Sequence, residues 1–290
     1  WDRFFDIYRD EVDWYMALNV WNVIDCRDPD GRGFATFACA DHPDQICHVP
    51  RSCKSRFCSV CAKVQVDRWA AGMNELFPNC SYFHVTFTVP SQFRELLFEK
   101  RSLLNAVFSA CTETLLSFCA ELGFLPAITA VLHTFGSDLK RHIHVHLIIS
   151  AGGLKLSGKA ERITRFIERK RKNPKAKKRK VSVVTDNPEW VKCNGFPPPV
   201  LQKRYQFLLI DHLKKRILKN INSETPDSEL KPFSDPGFMK IFFDDLLNQY
   251  QNGFYVNCTA ERVDLQMTAG HIGRYARRPP LSEVRIKDYT

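Results

Sequence analysis

The sequence predicts an α+β protein: a central antiparallel sheet flanked by helices, preceded by a helical and cysteine-rich segment suited to zinc. Three observations carry this. Stretches 80–90, 128–136 and 142–150 are rich in β-branched and aromatic residues, the last two being joined by Gly136-Ser137-Asp138, the composition of strands and of a hairpin turn. Between them run long segments with apolar residues at steps of three and four, without a strict strand-helix-strand alternation. Five cysteines also fall within the 23 residues 39–61. The expected organisation is an N-terminal helix over 1–25, a zinc-binding segment with its linking helix over 26–77, and one larger domain over 78–290 that carries a basic insertion around 155–185.

Taken in order, Phe4, Phe5, Tyr8, Val12, Tyr15, Leu18 and Trp21 give residues 1–22 the periodicity of one amphipathic helix. An irregular stretch follows from Cys26 to Cys61, and KVQVDRWAAGMNELF reads as the helix that leaves it. CSYFHVTFTVP is a strand that Pro90 stops. Residues 101–122 form a long helix ending at Gly123; ITAVLHTFG and HIHVHLIIS then form an antiparallel hairpin, broken by Gly152-Gly153. Helical periodicity returns at 197–221 and 236–250, GFYVNCTA reads as a strand, HIGRYARR as a helix stopped by Pro279-Pro280, and LSEVRI as a last strand.

Lys and Arg outnumber Asp and Glu by 42 to 32, a net charge of +10. Residues 161–180 hold eleven Lys or Arg against Glu161 and Glu168, so this window supplies +9 of it. A basic run of this kind is either a solvated surface or the footprint of a polyanion such as nucleic acid. The chain shows no signal-peptide pattern and no apolar run near twenty residues, which predicts a cytoplasmic protein with no membrane segment. In that reducing setting, eleven cysteines are better explained as metal ligands than as disulfides.

The run CADHPDQICHVPRSCKSRFCSVC offers the ligands of a structural zinc site. Cys58-x-x-Cys61 is one knuckle and Cys39-x-x-His42 a second; Cys53 is the leading alternative ligand, Cys26 and Cys47 are weaker ones, and the number leaves room for a second ion. The bland alternative is a set of buried free thiols. Arg51, Lys54 and Arg56 lie among the ligands, where a rigid frame would present them to phosphates.

In RHIHVHLIIS, alternation sends His142, His144 and His146 to one face of a strand and Ile143 and Val145 to the other. Imidazoles so placed suit a divalent ion, and pairing with 128–136 would bring His133 to the same ion. An ion held by two or three residues keeps open positions and can polarise a phosphoryl oxygen. No Ser-His-Asp pattern supplies a nucleophile, but AGHIGRYARRPP places Tyr275 among Arg274, Arg277 and Arg278 with His271 one turn earlier. Cationic neighbours favour a phenolate and bind phosphate. Alone, such a tyrosine would more simply be a packing residue.

Together SCKSRFCSVC, HTFGSDLKRHIHVHLIISAGG and HIGRYARRPPLSEVRI resemble the HUH superfamily of single-strand DNA endonucleases, specifically the rolling-circle transposases of bacterial insertion sequences. The resemblance implies an HUH endonuclease domain over 78–290, a divalent ion (Mg2+ or Mn2+) on His144 and His146, with His133 as third ligand, and Tyr275 as nucleophile. It implies transposition by single-strand cleavage and strand transfer through a covalent 5′-phosphotyrosine intermediate, on single-stranded DNA at transposon ends. Structural Zn2+ would sit on four of Cys39, His42, Cys53, Cys58 and Cys61, in a domain that adds contacts to double-stranded DNA. Arg274, Arg277, Arg278, His271, His142, Lys54 and Arg56 are the expected DNA contacts, in a protein associated with the bacterial nucleoid. Several members carry two tyrosines one helical turn apart. This sequence has His271 at the first position, which favours a single-tyrosine cycle. A plasmid or phage replication initiator would share this chemistry; a zinc-dependent DNA-binding protein or a histidine-only zinc hydrolase would not need Tyr275. ATP is not expected, because no G-x-x-x-x-G-K-[ST] motif is present.

Overall fold

The computed structural model describes residues 1–55, 57–136, 140–156, 189–223, 225, 227–260 and Gly273. Arg56, the turn residues Ser137 and Asp138, the basic run 161–180, the LSEVRI strand, and His271, Arg274, Tyr275, Arg277 and Arg278 lie outside the described residues. The chain divides into two compact units, one of Trp1–Glu75 with Ala269–Thr290 and one of Leu76–Thr268. The division at 75/76 lies beside the boundary expected at 77/78, whereas the segment from Ala269, expected in the larger domain, groups with the first unit. Gly273 gives this grouping a packing reason: it is buried so close to α4 (Ser59–Leu76) that a Cβ there would stand 2.9 Å from Trp69 Cε3.

The first unit opens with two helices where one was expected, α1 (Asp2–Ile7) and α2 (Trp14–Ile24). The break is an N-cap: Asp13 adopts extended backbone and its carboxylate accepts the Met16 N–H at 2.7 Å, so a new helix starts there. After the short α3 (Pro29–Arg32), strands β1 (Phe34–Ala38) and β2 (Ile46–Pro50) form an antiparallel hairpin with Phe34 opposite Pro50 and Ala38 opposite Ile46. Helix α4 follows. Apart from Gly273, the buried residues of this unit are Ala17, Cys58, Cys61, Ala62, Val66 and Ala70 among those described.

The second unit is built on β3 (Tyr82–Thr88), β4 (Phe124–Phe135), β5 (Arg141–Lys155), β6 (Trp190–Lys192) and β7 (Val256–Cys258). The strands lie in the order β4-β5-β3-β7, β6 pairs with the far end of β5, and every pairing is antiparallel. One face of the sheet carries Phe83, Val85, Phe87, Ile143, Val145, Leu147 and Ile149, all buried. Among the described residues its α-helices are short α5 (Arg94–Glu99), long α6 (Leu104–Glu121), α7 (Pro198–Ile221) and α8 (Pro236–Gln249). Helix α7 buries Leu201, Tyr205, Leu209, Leu213 and Ile217, a strict four-residue stripe, and the Tyr205 ring meets Phe87 edge-on at 4.8 Å.

Segment Arg101–Glu121 has a mean hydropathy of 1.4, enough by length and composition to cross a membrane. That departs from the expectation of no apolar run near twenty residues, and the departure has a packing cause. Ala106, Val107, Ala110, Cys111, Leu115 and Cys119 of α6 are all buried in the hydrophobic core with the sheet's apolar face.

Beyond the histidines, β5 stays paired with β4 as far as Lys155, while on its other edge β3 ends opposite Ser150 and β6 takes its place at Gly152–Leu154. Gly152 has φ +135, and a Cβ there would lie 2.2 Å from the Val191 carbonyl oxygen; at Gly153 it would lie 2.0 Å from the Leu125 carbonyl oxygen. Both obstacles are backbone, so neither can swing aside. Gly153→Ala is therefore expected to destabilise the protein by about 2 kcal/mol or more, read as a lowered urea midpoint at unchanged slope.

Candidate metal centres

The first unit brings together Cys26, Cys53, Cys58 and Cys61, whose sulfurs all lie within 4.8 Å of one another. Neighbouring sulfurs are 3.6 Å apart for Cys26–Cys61 and Cys53–Cys61, and 3.7 Å for Cys26–Cys58. Four sulfurs at about 2.3 Å from one zinc would stand about 3.8 Å apart at tetrahedral corners, so the set fits a closed site of four thiolates. The same spacing is too long for a disulfide. Arg27 and Lys54, which directly follow Cys26 and Cys53, both have positive φ, at 65° and 54°. Such backbone is strained in residues other than glycine and persists where surroundings over-determine it.

The thiols are not electrostatically alike. Burial acts to raise the Cys26 thiol, but hydrogen bonds from the Cys53 N–H and from the thiols of Cys53, Cys61 and Cys58 outweigh it and bring it down to about 7. Burial, together with the Cys26, Cys61 and Cys58 thiols, pushes Cys53 up to about 12. Neighbouring donors thus favour the thiolate form at Cys26, whereas burial opposes it at Cys53.

Sequence reasoning set Cys39 and His42 beside the Cys58-x-x-Cys61 knuckle and ranked Cys26 lower. The fold gathers Cys26 instead. Cys39 and His42 occupy the tip of the β1-β2 hairpin, with Cys39 Sγ 3.8 Å from His42 Nδ1 and the Cys39 N–H donating to the Gln45 carbonyl. Cys26 and Cys53 flank its open end, and a five-residue antiparallel ladder holds the two ends roughly 14 Å apart. The signal that could have found Cys26 was the pair of short strand-like runs, FATFA and ICHVP, whose pairing returns the chain to its start. Lys54 follows Cys53 directly and its carbonyl accepts the Gln65 side chain at 2.8 Å, which ties this turn to α4.

The second unit brings together His133, His144 and His146. Strand register does this. His133 of β4 lies directly opposite His144 of β5, and His146 is two residues along on the same face. His133 Nδ1 and His144 Nε2 are 2.9 Å apart, the ring centroids of His144 and His146 are 4.8 Å apart, and those of His133 and His146 6.0 Å. Two imidazole nitrogens on one ion at about 2.0–2.1 Å each would stand about 3 Å apart, so the His133–His144 spacing suits two ligands of a shared ion.

The hydrogen bonding of His144 supports that use. Its Nδ1 lies 2.9 Å from the His142 carbonyl, a bond only an N–H can make, so its Nε2 keeps the lone pair that faces His133. Burial, with the charges of His142 and Arg94 adding to it, holds His144 below the usual imidazole range and keeps it neutral. His142 itself is not one of the three; its ring centroid is 5.0 Å from that of His144. Three imidazoles fit Mn2+ better than Mg2+, which demands near-ideal octahedral oxygen coordination.

Residue His84, which the sequence reading did not select, stands on β3 with its Nε2 2.9 Å from His146 Nδ1. Its signal was present in the alternation of CSYFHVTFTVP, where His84 is the polar residue between two buried neighbours.

These geometries give a direct expectation for zinc. Elemental analysis should find zinc in the parent, none in Cys26→Ser or in Cys58→Ser, and zinc still present in Cys39→Ser and His42→Ala. Because the Cys53 proton must leave when zinc binds, acid competes, and zinc affinity should fall as pH is lowered.

Comparison with known proteins agrees with the cysteine centre. Residues 1–89 match the family described as transposase zinc-binding domain, and residues 127–182 match one described as putative transposase. The chain is similar to the transposase for insertion sequence element IS801 of Pseudomonas savastanoi pv. phaseolicola, at 25% identity over 259 residues, 89% of this chain and 54% of that protein. It is also similar to the putative transposase y4qJ of Sinorhizobium fredii, at 27% identity over 171 residues, 57% of this chain and 36% of that protein. The chain thus spans about half or less of the curated relatives it matches. No solved structure matches it. One matched segment holds the four cysteines and the other the three histidines: the chain is similar to an insertion-sequence transposase over most of its length, and its residues 1–89 match a transposase zinc-binding domain.

Proposed function

We propose that this chain carries out the DNA cleavage and strand transfer of a rolling-circle transposase, acting as an HUH endonuclease on single-stranded DNA. The observation that carries the reading is the convergence of His133, His144 and His146 on one face of an antiparallel sheet. A divalent ion, Mg2+ or, better suited to these donors, Mn2+, would supply Lewis-acid polarisation of the scissile phosphate when bound.

The chain's own residues do the rest. His144, fixed by its bond to the His142 carbonyl, presents Nε2 to the ion site. Tyr275 is the nucleophile: as its proton departs, its oxygen bonds to phosphorus while the P–O3′ bond breaks and the leaving 3′-oxygen takes up a proton. The result is a 5′-phosphotyrosine and a free 3′-hydroxyl, which conserves the phosphodiester energy for rejoining without ATP. Arg274, Arg277 and Arg278 neighbour Tyr275 in sequence and would hold phosphate and favour the phenolate. With His271 in place of a second tyrosine, the cycle uses one nucleophile.

The DNA strand is held by the basic window 161–180, His142 and His271, and by Lys54 and Arg56 of the zinc-binding unit, which would also meet double-stranded DNA. Such a protein works in the cytoplasm, on the nucleoid. The test is a labelled single-stranded oligonucleotide panel drawn from the DNA that borders the coding element, incubated with Mn2+. The expected product is an adduct stable to detergent, absent for Tyr275→Phe and reduced about a hundredfold or more for His144→Ala and His146→Ala. An adduct that persists in Tyr275→Phe would place the nucleophile elsewhere, and cleavage without adduct in that variant would point to a metal-dependent hydrolase.

A further inference from the structure

We infer that His84 is a positioning residue of the histidine centre, which fixes the ring of His146 by accepting its Nδ1 proton. This rests on the reading of His133, His144 and His146 as a metal centre. A ligating imidazole must present one nitrogen as a lone pair, so the other carries the proton and needs an acceptor, and that acceptor sets tautomer and ring orientation. For His144 the acceptor is the backbone carbonyl of His142, at 2.9 Å. His146 has its Nδ1 2.9 Å from His84 Nε2, and the two rings stack with centroids 5.0 Å apart and planes at 25°. Thr86 Oγ1 closes the contact from the same strand, 3.3 Å from His146 Nδ1 and 3.4 Å from His84 Nε2.

The arrangement follows from register. Thr86 lies opposite His146 and His84 opposite Ile148, so His84 is the diagonal neighbour of His146 on the face that carries the ligands. The strand is pinned there, because the His84 carbonyl accepts the Thr259 N–H at 3.0 Å. With Nδ1 of His146 donating to His84, Nε2 is the nitrogen left for an ion. That is the same choice of atom as at His144. His133, with Nδ1 facing His144 Nε2, completes the set from the other side.

The test uses the full zinc-loaded chain, since Mn2+ does not compete for a thiolate site. His84→Phe keeps a ring for the stack and deletes the acceptor; His84→Gln returns an acceptor oxygen near the place of Nε2. Mn2+ affinity, followed by the free-ion paramagnetic signal, should weaken about 10- to 100-fold in His84→Phe, the range usual for lost outer-shell partners of metal ligands, and recover most of that in His84→Gln. Long-range proton–nitrogen correlation spectra of the histidine rings should show His146 protonated at Nδ1 in the parent and no longer fixed there in His84→Phe.

Unchanged Mn2+ affinity in His84→Phe overturns the proposal. So does complete loss of binding in both His84 variants, which would make His84 itself a ligand. A parent chain that binds no Mn2+, or a His146→Ala variant that binds it undiminished, would remove the metal-centre reading instead, and the two failures are thereby told apart.

Discussion

The register of β5 is the constraint on which the rest of the second unit depends. Ile143, Val145, Leu147 and Ile149 are each fully buried, and at about 1.5–3 kcal/mol for each such side chain their burial against the helices dominates any preference of the histidines. Because side chains alternate, a slip by one residue would drive His142, His144 and His146 into the apolar core and expose the aliphatic residues. The core therefore chooses the histidine face without touching it. Pairing with β4 then sets His133 opposite His144, and pairing with β3 sets Thr86 opposite His146. Ordinary hydrophobic burial on one side of a sheet thus produces convergent nitrogens on the other.

The first unit solves a different problem. Its described buried residues are mostly alanines and cysteines, while Trp14, Tyr15, Phe37 and Ile46 are exposed, so apolar burial alone is a weak source of stability there. Four cysteines drawn from 36 residues of chain, Cys26 to Cys61, offer zinc instead. Structural zinc contributes on the order of 10 kcal/mol to such modules, enough to hold Arg27 and Lys54 in left-handed backbone. In both units a hairpin performs the assembly: β1-β2 returns Cys53 to Cys26, and β4-β5 returns His144 to His133.

That common device explains what could be read from the sequence. Period-two alternation in HIHVHLIIS and a turn at Gly136 were enough to propose the hairpin and His133, because both signals are local. Helices at 198–221 and 236–249 were legible for the same reason. Local spacing misled where closure was longer in range: Cys39-x-x-His42 has the spacing of a knuckle, yet the ladder carries it away from the other thiols. Cys26, far along the chain from Cys53, had no local mark. His84 was invisible as a partner because its role depends on the β3-β5 register. The helix break at Asp13 was readable in principle, since Asp before an apolar run is a capping signal, but the periodicity of 1–22 runs through it. Tyr275 was chosen on sequence and resemblance.

The central claim is that His133, His144 and His146 hold one divalent ion through ring nitrogens. Pulsed electron paramagnetic resonance of Mn2+ bound to the zinc-loaded chain tests it most directly, by comparing natural-abundance protein with protein carrying 15N-labelled histidine. The account predicts 14N modulations in the natural-abundance sample that are replaced by 15N couplings on labelling. Bound Mn2+ showing only water-proton couplings in both samples would contradict it.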